Sequence, residues 1–221
     1  MKPRENQPDS KAGAKSKSQQ PIGSTIAVAI LAAGQSSRMV GENKLLLPYG
    51  KTTVLEHVIQ EVKKATKDSV FIVTGHDAVH ITDVAAHHKV PTVHNAGYAT
   101  GMSSSVKLAV QHVPASAEGL LIVLADMPAL RADIYKEIFA AFCPAAGRAI
   151  IVPTHKGRQG NPIMWGRAYF EQFETLSGDR GARSLLETNG EYVHRLELDT
   201  DSICTDIDTI EAYERVLEKA P

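Results

Sequence analysis

The sequence predicts an α/β domain in three layers, with a mostly parallel sheet between two layers of helices. An unbroken apolar run from Ile26 to Ala33 is typical of a strand that is buried on both faces. Similar runs follow at 69–74 and 119–125, with helical stretches between them. Polar, glycine-bearing loops come directly after these runs, where parallel sheets bind their ligands.

The remaining elements follow from periodicity and capping signals. Thr52 or Thr53 is expected to cap the first helix, and Glu56 completes a capping box with Thr53. A second polar loop is expected over 95–105. The other predicted elements are helices at 77–88, 106–113 and 131–142, strands at 90–93, 149–152 and 192–198, a polar turn region at 154–161, helical stretches at 168–176 and 182–187, and a C-terminal amphipathic helix through Leu217.

Composition limits both the number of domains and the class of protein. The 221 residues suit one sizeable domain, over 25–221, because residues 1–24 are rich in Lys, Gln, Ser, Pro and Gly and are expected to form a disordered tail. A net charge of −1 gives no electrostatic footprint for nucleic acid or an anionic membrane. No run is long enough to span a membrane, and two distant cysteines without CxxC spacing favour a reduced, cytoplasmic protein.

The loop after the first strand has the features of a phosphate-binding loop. Gly34 allows the backbone to approach a ligand closely, and Arg38 and Lys44 can neutralise negative charge. Taken alone, an ordinary loop with solvated charges explains these residues about as well. The sequence contains neither GxxxxGK[ST] nor GxGxxG after a strand, which argues against an ordinary P-loop ATPase or a dehydrogenase.

Acidic residues supply candidate metal ligands. Asp126 directly follows a fully apolar strand, where a carboxylate is costly unless a cation lies nearby. Asp206 and Asp208 flank one apolar residue, so in an extended segment both carboxylates face one side while Ile207 packs inward. The alternative is capping: Asp126 can cap a helix or a turn, and Asp208 or Thr209 can start the last helix with Glu211 in its first turn. One of the two later acids is expected to cap, which leaves the other as the better ligand.

Several spaced motifs together resemble a known family. LAAGQSSRM at 31–39, Lys44 and LLLP at 45–48 resemble the signature of nucleotidyltransferases, and more narrowly the molybdenum cofactor cytidylyltransferases and their MobA-like guanylyltransferase relatives. LADMP at 124–128, the segment GMSSS at 101–105, GNP at 160–162, SGDRGAR at 177–183 and DIDT at 206–209 resemble further segments of that family. One departure is Val40, where the family usually has glycine, so the loop is expected to turn at Gly41 instead.

The resemblance implies a Rossmann-like nucleotidyltransferase that moves CMP from CTP to the phosphate of molybdopterin cofactor and releases pyrophosphate. In the family that the chain resembles, alanine at the third motif position, here Ala33, goes with cytidine and glycine goes with guanosine, so the resemblance favours CTP. Catalytic roles are implied for Arg38, Lys44 and Asp126, and Mg²⁺ ligation for Asp126 with Asp206 or Asp208. Nucleotide contacts are expected from Leu31, Ala32, Ala33, Gly34, Ser36, Arg38, Lys44, Asn95, Gly101, Ser103 and Ser105, and acceptor contacts from Asn161, Asp179, Arg180 and Arg183.

Three functional hypotheses remain open from the sequence. The first is the cytidylyltransferase, serving a client molybdenum hydroxylase. The second keeps nucleotidyl transfer but uses GTP, or a sugar or polyol phosphate as acceptor. The third is a non-catalytic protein that inserts the cofactor into its client, although such a carrier has no need of Arg38, Lys44 and Asp126 together.

Overall fold

The computed structural model describes residues 25–35, 43–218 and 220. Residues 1–24, predicted to form a tail, lie outside this range, and so does the 36–42 part of the first loop with Ser36, Arg38 and Val40. Among the described residues, no helix has the length and apolar character needed to cross a membrane.

An eight-stranded sheet forms the middle layer. The strands are β1 (Ile26–Ala32), β2 (Pro48–Tyr49), β3 (Thr52–Thr53), β4 (Ser69–Thr74), β5 (Thr92–His94), β6 (Gly119–Leu124), β7 (Ile150–His155), β8 (Arg158–Gln159), β9 (Ile163–Gly166) and β10 (Val193–Glu197), of which β2 and β3 form a separate hairpin. The strand order in the sheet is β5–β4–β1–β6–β9–β7–β10, with β8 paired to β7. β1 lies parallel to both of its neighbours, β4 and β6, while β9 runs antiparallel to β6 and β7. The predicted, mostly parallel α/β sheet is confirmed.

Helices cover both faces of the sheet and enclose two hydrophobic clusters. Along β1, Val28 and Ile30 belong to one cluster, whereas Ala29 and Leu31 belong to the other, because side chains alternate between the faces of a strand. All seven residues of β1 are buried, which explains the unbroken apolar run. The helices are α1 (Val54–Ala65), α2 (Ala78–His87), α3 (Met102–Gln111), α4 (Ala132–Ala141), α5 (Arg183–Thr188) and α6 (Ile210–Leu217).

The predicted capping box at the start of α1 is confirmed. The Thr53 hydroxyl accepts from the backbone N–H of Glu56, and the Glu56 carboxylate accepts from the backbone N–H of Thr53. Donation by the Thr53 N–H holds the pKa of Glu56 below its usual value. The box fixes where α1 begins, immediately after the β2–β3 hairpin.

Helix α3 begins at Met102, four residues before its predicted start, so the second polar loop is shorter than predicted. The serines that suggested a loop are accommodated in the first turn of the helix. The Ser104 hydroxyl donates to the carbonyls of Gly97 and Gly101, which satisfies a side chain that would otherwise compete with the helical backbone. Gly101, at φ 109°, makes the turn into the helix in a conformation that favours glycine.

Other boundaries differ in ways that the local pattern did not reveal. β7 extends through Thr154 to His155, where a polar turn was predicted, because this segment pairs with β10 on one side and folds back on itself to pair with β8. The predicted helical stretch at 168–176 is a 3₁₀ helix, Arg167–Thr175. The third predicted strand lies at Thr92–His94, two residues later than expected at its start.

The topology places several loops at one edge of the sheet. From β1 the chain continues to β4 and β5 on one side and then crosses to β6 on the other, so the strand order reverses between β1 and β6. Ligands in open parallel sheets bind outside the carboxyl ends of the strands at such a reversal. Gly34 follows β1 and Asp126 follows β6, so the two candidate segments flank this point.

Candidate active site

A cavity of about 450 Å³ opens at the carboxyl edge of the sheet, beside the ends of β1 and β6. Its walls come from the first loop, the start of α3, the end of β6 and the C-terminal acidic segment. Ten of the residues predicted from the sequence line it, namely Leu31, Ala32, Ala33, Gly34, Lys44, Gly101, Ser105, Asp126, Asp179 and Asp208. Segments that are far apart in the chain therefore meet in one cavity.

Lys44 bridges two carboxylates at the base of this cavity. Its ammonium Nζ lies 2.6 Å from Asp126 Oδ2 and 2.8 Å from Asp208 Oδ1, and it donates a hydrogen bond to each. Only 12% of the Lys44 side chain is exposed. Burial alone would lower the pKa of Lys44, but its attraction and hydrogen bonds to Asp126 and Asp208 outweigh burial and raise the pKa above its usual value. Lys44 is therefore a permanent cation at neutral pH.

The C-terminal acidic segment docks directly on the end of β6. The backbone N–H of Ile207 donates to the carbonyl of Asp126 at 2.9 Å, and the Ile207 side chain is fully buried. Asp208 consequently faces the cavity, whereas Asp206 is exposed to solvent. Desolvation raises the pKa of Asp206, and repulsion from the carboxylates of Asp208 and Asp126 raises it further. The segment thus concentrates negative charge at the strand end.

Of the two candidates for the start of the last helix, Asp208 and Thr209, it is Thr209 that caps it, so the expectation that one of the acids caps this helix was wrong. The N-cap of α6 is Thr209, whose hydroxyl accepts from the backbone N–H of Ala212. Because Thr209 occupies the N-cap position, capping of α6 does not account for either Asp206 or Asp208.

Asn95 supports the wall of the cavity from behind. Its amide nitrogen donates to the hydroxyls of Ser104 and Ser105, and its oxygen accepts from the backbone N–H of Gly97. Asn95 is buried and does not line the cavity. Ser103 is also buried, and its hydroxyl has no partner within the described part of the chain. Nucleotide contacts by Asn95 and Ser103 stay a prediction.

The segment around Asp179 packs on the start of α3. A Cβ at Gly101 would lie 2.5 Å from Asp179 Oδ1 and 2.7 Å from the backbone of Gly178, so only glycine fits there. This approach brings Asp179, predicted to bind the acceptor, to the mouth of the same cavity. On the cavity side, Met102 contacts the region of Gly181.

Asn161 and Arg183, two of the other predicted acceptor residues, are not among the described residues that line the cavity. The Asn161 backbone N–H donates to the carbonyl of Ile203, and its peptide bond to Pro162 is cis. Arg183 is exposed at the start of α5, and Arg180 belongs to the short 3₁₀ helix Gly178–Arg180. Their contacts with an acceptor stay predictions.

Several cavity residues escaped the sequence reasoning because they are apolar or lie between selected positions. Tyr98 lines the cavity beside Ala33, and the two side chains meet over Gly75. A Cβ at Gly75 would lie 2.6 Å from Tyr98 Cβ and 2.8 Å from Ala33 Cβ. The sequence feature that could have identified Tyr98 is its position inside the second polar loop, which was predicted over 95–105. The other such residues are Gln35, Leu45, Ala99, Met102 and Leu124.

The donor set at the strand end fits a divalent cation of the Mg²⁺ type. Mg²⁺ is commonly held by one or two carboxylates together with substrate phosphates. Asp126 and Asp208 already face a single cationic nitrogen within 2.8 Å, and they would hold the ion. Among the described residues, no cluster of three or more His, Cys, Asp or Glu side chains offers an all-protein cage.

Known proteins with similar sequences and structures include a nucleotidyltransferase and solved structures of the same fold. The chain is 32% identical over 200 residues to the molybdenum cofactor cytidylyltransferase of Escherichia coli, which covers 88% of this chain and 99% of that one. A solved structure from Mycobacterium sp. strain JC1, a homologue of Rv0371c of Mycobacterium tuberculosis, is 30% identical with a TM-score of 0.77 and covers 90% of this chain and 98% of that one.

Rv0371c itself, from Mycobacterium tuberculosis H37Rv, has been solved in complex with manganese. It is 26% identical with a TM-score of 0.75, and the match covers 89% of this chain and 100% of that one. The family model described as the MobA-like NTP transferase domain matches residues 28–196, which include the first loop, the end of β6 and the Asp179 segment. The chain therefore belongs to the MobA-like NTP transferase family of nucleotidyltransferases.

Proposed function

We propose that the protein transfers CMP from CTP to the phosphate of molybdopterin cofactor and releases pyrophosphate. The observation that carries the proposal is the joint position of Lys44, Asp126 and Asp208 at the carboxyl edge of the sheet. One cation and two carboxylates at the end of a nucleotide-sized cavity suit a triphosphate with its metal. The cytidylyltransferase of Escherichia coli, 32% identical over nearly its whole length, supports the choice of reaction.

The proposed chemistry needs positioning and charge neutralisation more than proton transfer. The acceptor phosphate is already an anion, so it can attack the α-phosphate of CTP without a general base. The bond between the α- and β-phosphates breaks, and pyrophosphate leaves with the negative charge. In this proposal, Lys44 and Arg38 stabilise the departing pyrophosphate, and the backbone at Gly34 approaches its oxygens.

Asp126 and Asp208 hold the metal in this proposal. A bound Mg²⁺ neutralises charge on the triphosphate and orients it. Asp126 is set at the end of β6, and the backbone bond from Ile207 to its carbonyl keeps Asp208 beside it. Rv0371c, which is 26% identical to this chain, has been solved in complex with manganese, and this supports the proposal that the protein uses a divalent cation.

The base and the acceptor occupy the two remaining sides of the cavity. Ala33, with Tyr98 against it, bounds the space that we assign to cytosine. Asp179 lines the cavity next to Gly101, and we assign it to the acceptor together with Asn161, Arg180 and Arg183. The product would serve a client molybdenum hydroxylase, and we place the reaction in the cytoplasm.

Pyrophosphate release with purified molybdopterin cofactor tests the proposal. CTP should support release, while GTP, ATP and UTP support far less. Release with GTP in place of CTP would overturn the assignment of the base, and release only with a sugar or polyol phosphate would overturn the assignment of the acceptor. Cofactor binding without release from any nucleotide would favour a non-catalytic insertion protein.

A further inference from the structure

Both polar atoms of the Asn43 side-chain amide, directly before Lys44, form hydrogen bonds. Asn43 Oδ1 accepts from the backbone N–H of Leu45 at 3.1 Å and so caps the 3₁₀ helix Lys44–Leu46. Asn43 Nδ2 donates to Asp77 Oδ2 at 3.0 Å. The backbone that carries Lys44 is therefore connected, through Asn43, to Asp77, which lies 34 positions after Asn43 in the chain.

Asp77 makes this connection instead of capping its own helix. It stands at the N-cap position of α2, where an aspartate ordinarily accepts from N–H groups in the first turn, yet its side chain makes no capping bond. Its backbone is left-handed, at φ 57° and ψ 36°, a conformation that is uncommon for residues other than glycine. The carboxylate is directed to Asn43 through Oδ2 and to His80 through Oδ1.

We propose that Asp77 is a positioning residue for Lys44. Asp77 follows β4, whereas Lys44 follows β1, and these neighbouring parallel strands end at the same edge of the sheet. Asp77 fixes Asn43, Asn43 fixes the 3₁₀ helix, and the helix sets the backbone from which the Lys44 side chain reaches Asp126 and Asp208. A lysine side chain is long and flexible, so anchoring its backbone limits where the ammonium can lie.

This inference rests on the proposed function in one respect, namely that Lys44 contacts the phosphates of the nucleotide. The competing explanation is that the Asn43–Asp77 bond only stabilises the surface. The Asp77→Gly variant distinguishes these two explanations. It loses the hydrogen bond to Asn43, but glycine adopts φ 57° without strain, and this relief offsets the effect of the lost bond on the free energy of unfolding. A role in positioning predicts weaker phosphate binding in a protein of nearly unchanged melting temperature.

A reciprocal exchange gives the sharper test. Asn43→Asp alone sets two carboxylates against each other, whereas the double variant Asn43→Asp/Asp77→Asn restores a donor opposite an acceptor with the net charge of the wild type. Asp77→Asn alone keeps an acceptor for Asn43 and tolerates the left-handed backbone. His80→Gln is the matched control, since it removes only the other partner of Asp77.

Binding of inorganic pyrophosphate by calorimetry, the kcat/KM for CTP and the melting temperature should be measured on the full chain. Asp77→Gly and Asn43→Asp should each weaken pyrophosphate binding about tenfold, as expected when a charged hydrogen bond is misaligned. Asp77→Asn, His80→Gln and the double variant should bind within about twofold of the wild type, a difference too small to represent a lost hydrogen bond.

Wild-type binding by Asp77→Gly, or a double variant no better than Asn43→Asp, would overturn the inference. If Asp77→Gly fails to fold, the comparison of Asn43→Asp with the double variant Asn43→Asp/Asp77→Asn still tests the positioning role. Rescue by the exchange in a protein that transfers no CMP would leave the positioning role standing and overturn only the proposed function. CMP transfer by the wild type, without rescue of pyrophosphate binding in the double variant, would overturn the positioning role of Asp77 and leave the proposed function standing.

Discussion

The ammonium nitrogen of Lys44 lies 2.6 Å from a carboxylate oxygen of Asp126, although 82 residues separate them in the chain. The pair joins the segment after β1 to the residue that closes β6, across the point where the strand order of the sheet reverses. Asp208, at 2.8 Å from the same nitrogen, adds the C-terminal segment. Three distant parts of the sequence thus contribute to one charged centre.

Lys44→Met should abolish most of the CMP transfer while leaving a folded protein. Loss of one preorganised cation beside developing negative charge costs about 10²- to 10³-fold in turnover. Turnover should be measured by pyrophosphate release at saturating CTP. Lys136→Met, on the exposed surface of α4, is the matched control and should retain full activity. Comparable turnover in the two variants would show that Lys44 is not part of the reaction.

The two C-terminal acids should differ in their effect on metal binding. Asp208 lines the cavity and contacts Lys44, whereas Asp206 is exposed and is not among the described residues that line the cavity, so Asp208→Asn should weaken Mn²⁺ binding in the presence of CTP more than Asp206→Asn does. Paramagnetic resonance of free Mn²⁺ measures this affinity directly. A larger loss in Asp206→Asn would assign the ligand to the other acid.

The capping box should contribute a pH-dependent part of the stability. Glu56→Ala should lower the free energy of unfolding by about 1 kcal/mol at pH 7. Because the folded pKa of Glu56 lies below its unfolded value, this contribution is complete well above pH 4.5 and is lost as the pH falls through the folded pKa.

Urea unfolding of wild type and Glu56→Ala at a series of pH values checks this expectation. The two free energies should converge in acid. Thr53→Ala is the companion variant, since its hydroxyl accepts from a backbone N–H that does not titrate, and its cost should persist at low pH. A Glu56→Ala difference that stays constant down to pH 3, about 1.5 units below the ordinary pKa of glutamate, would contradict the account.

Ala33→Gly should reduce the preference for CTP over GTP. The Ala33 methyl group is buried on the cavity wall against Gly75 and Tyr98, so its removal enlarges the space available to a purine. A change of one methyl group in such a pocket shifts discrimination by about tenfold. The ratio of kcat/KM for the two nucleotides measures it, and an unchanged ratio would place base selection elsewhere.

Sequence reasoning predicted most of the fold because the strands are strongly marked. β1 and β6 are buried on both faces, so their apolar runs are continuous, and the Thr53–Glu56 capping box has a fixed spacing. It failed at the start of α3, where serines resemble a loop but bond to Asn95 and to glycine carbonyls, contacts that only the folded chain supplies. The boundary of β7 also depends on a partner, Glu197, that is 43 residues distant.

The parts of the candidate site that consist of charged residues could be predicted from the sequence. Lys44, Asp126 and Asp208 stand out as charged residues beside apolar runs, and the structure brings them together. Tyr98 and the Asn43–Asp77 connection were not predictable, because an aromatic ring and an uncharged amide have no distinctive local pattern. Their importance comes from contacts between the ends of neighbouring strands.

The most direct test of nucleotidyl transfer at this centre is mass spectrometry of the cofactor after reaction with CTP, Mg²⁺ and purified protein. The wild type should convert molybdopterin cofactor into a product heavier by one CMP unit, with one pyrophosphate released for each product. Asp126→Ala should give none while its circular dichroism spectrum matches that of the wild type. An unchanged cofactor mass with the wild type, or full conversion by Asp126→Ala, would contradict the account.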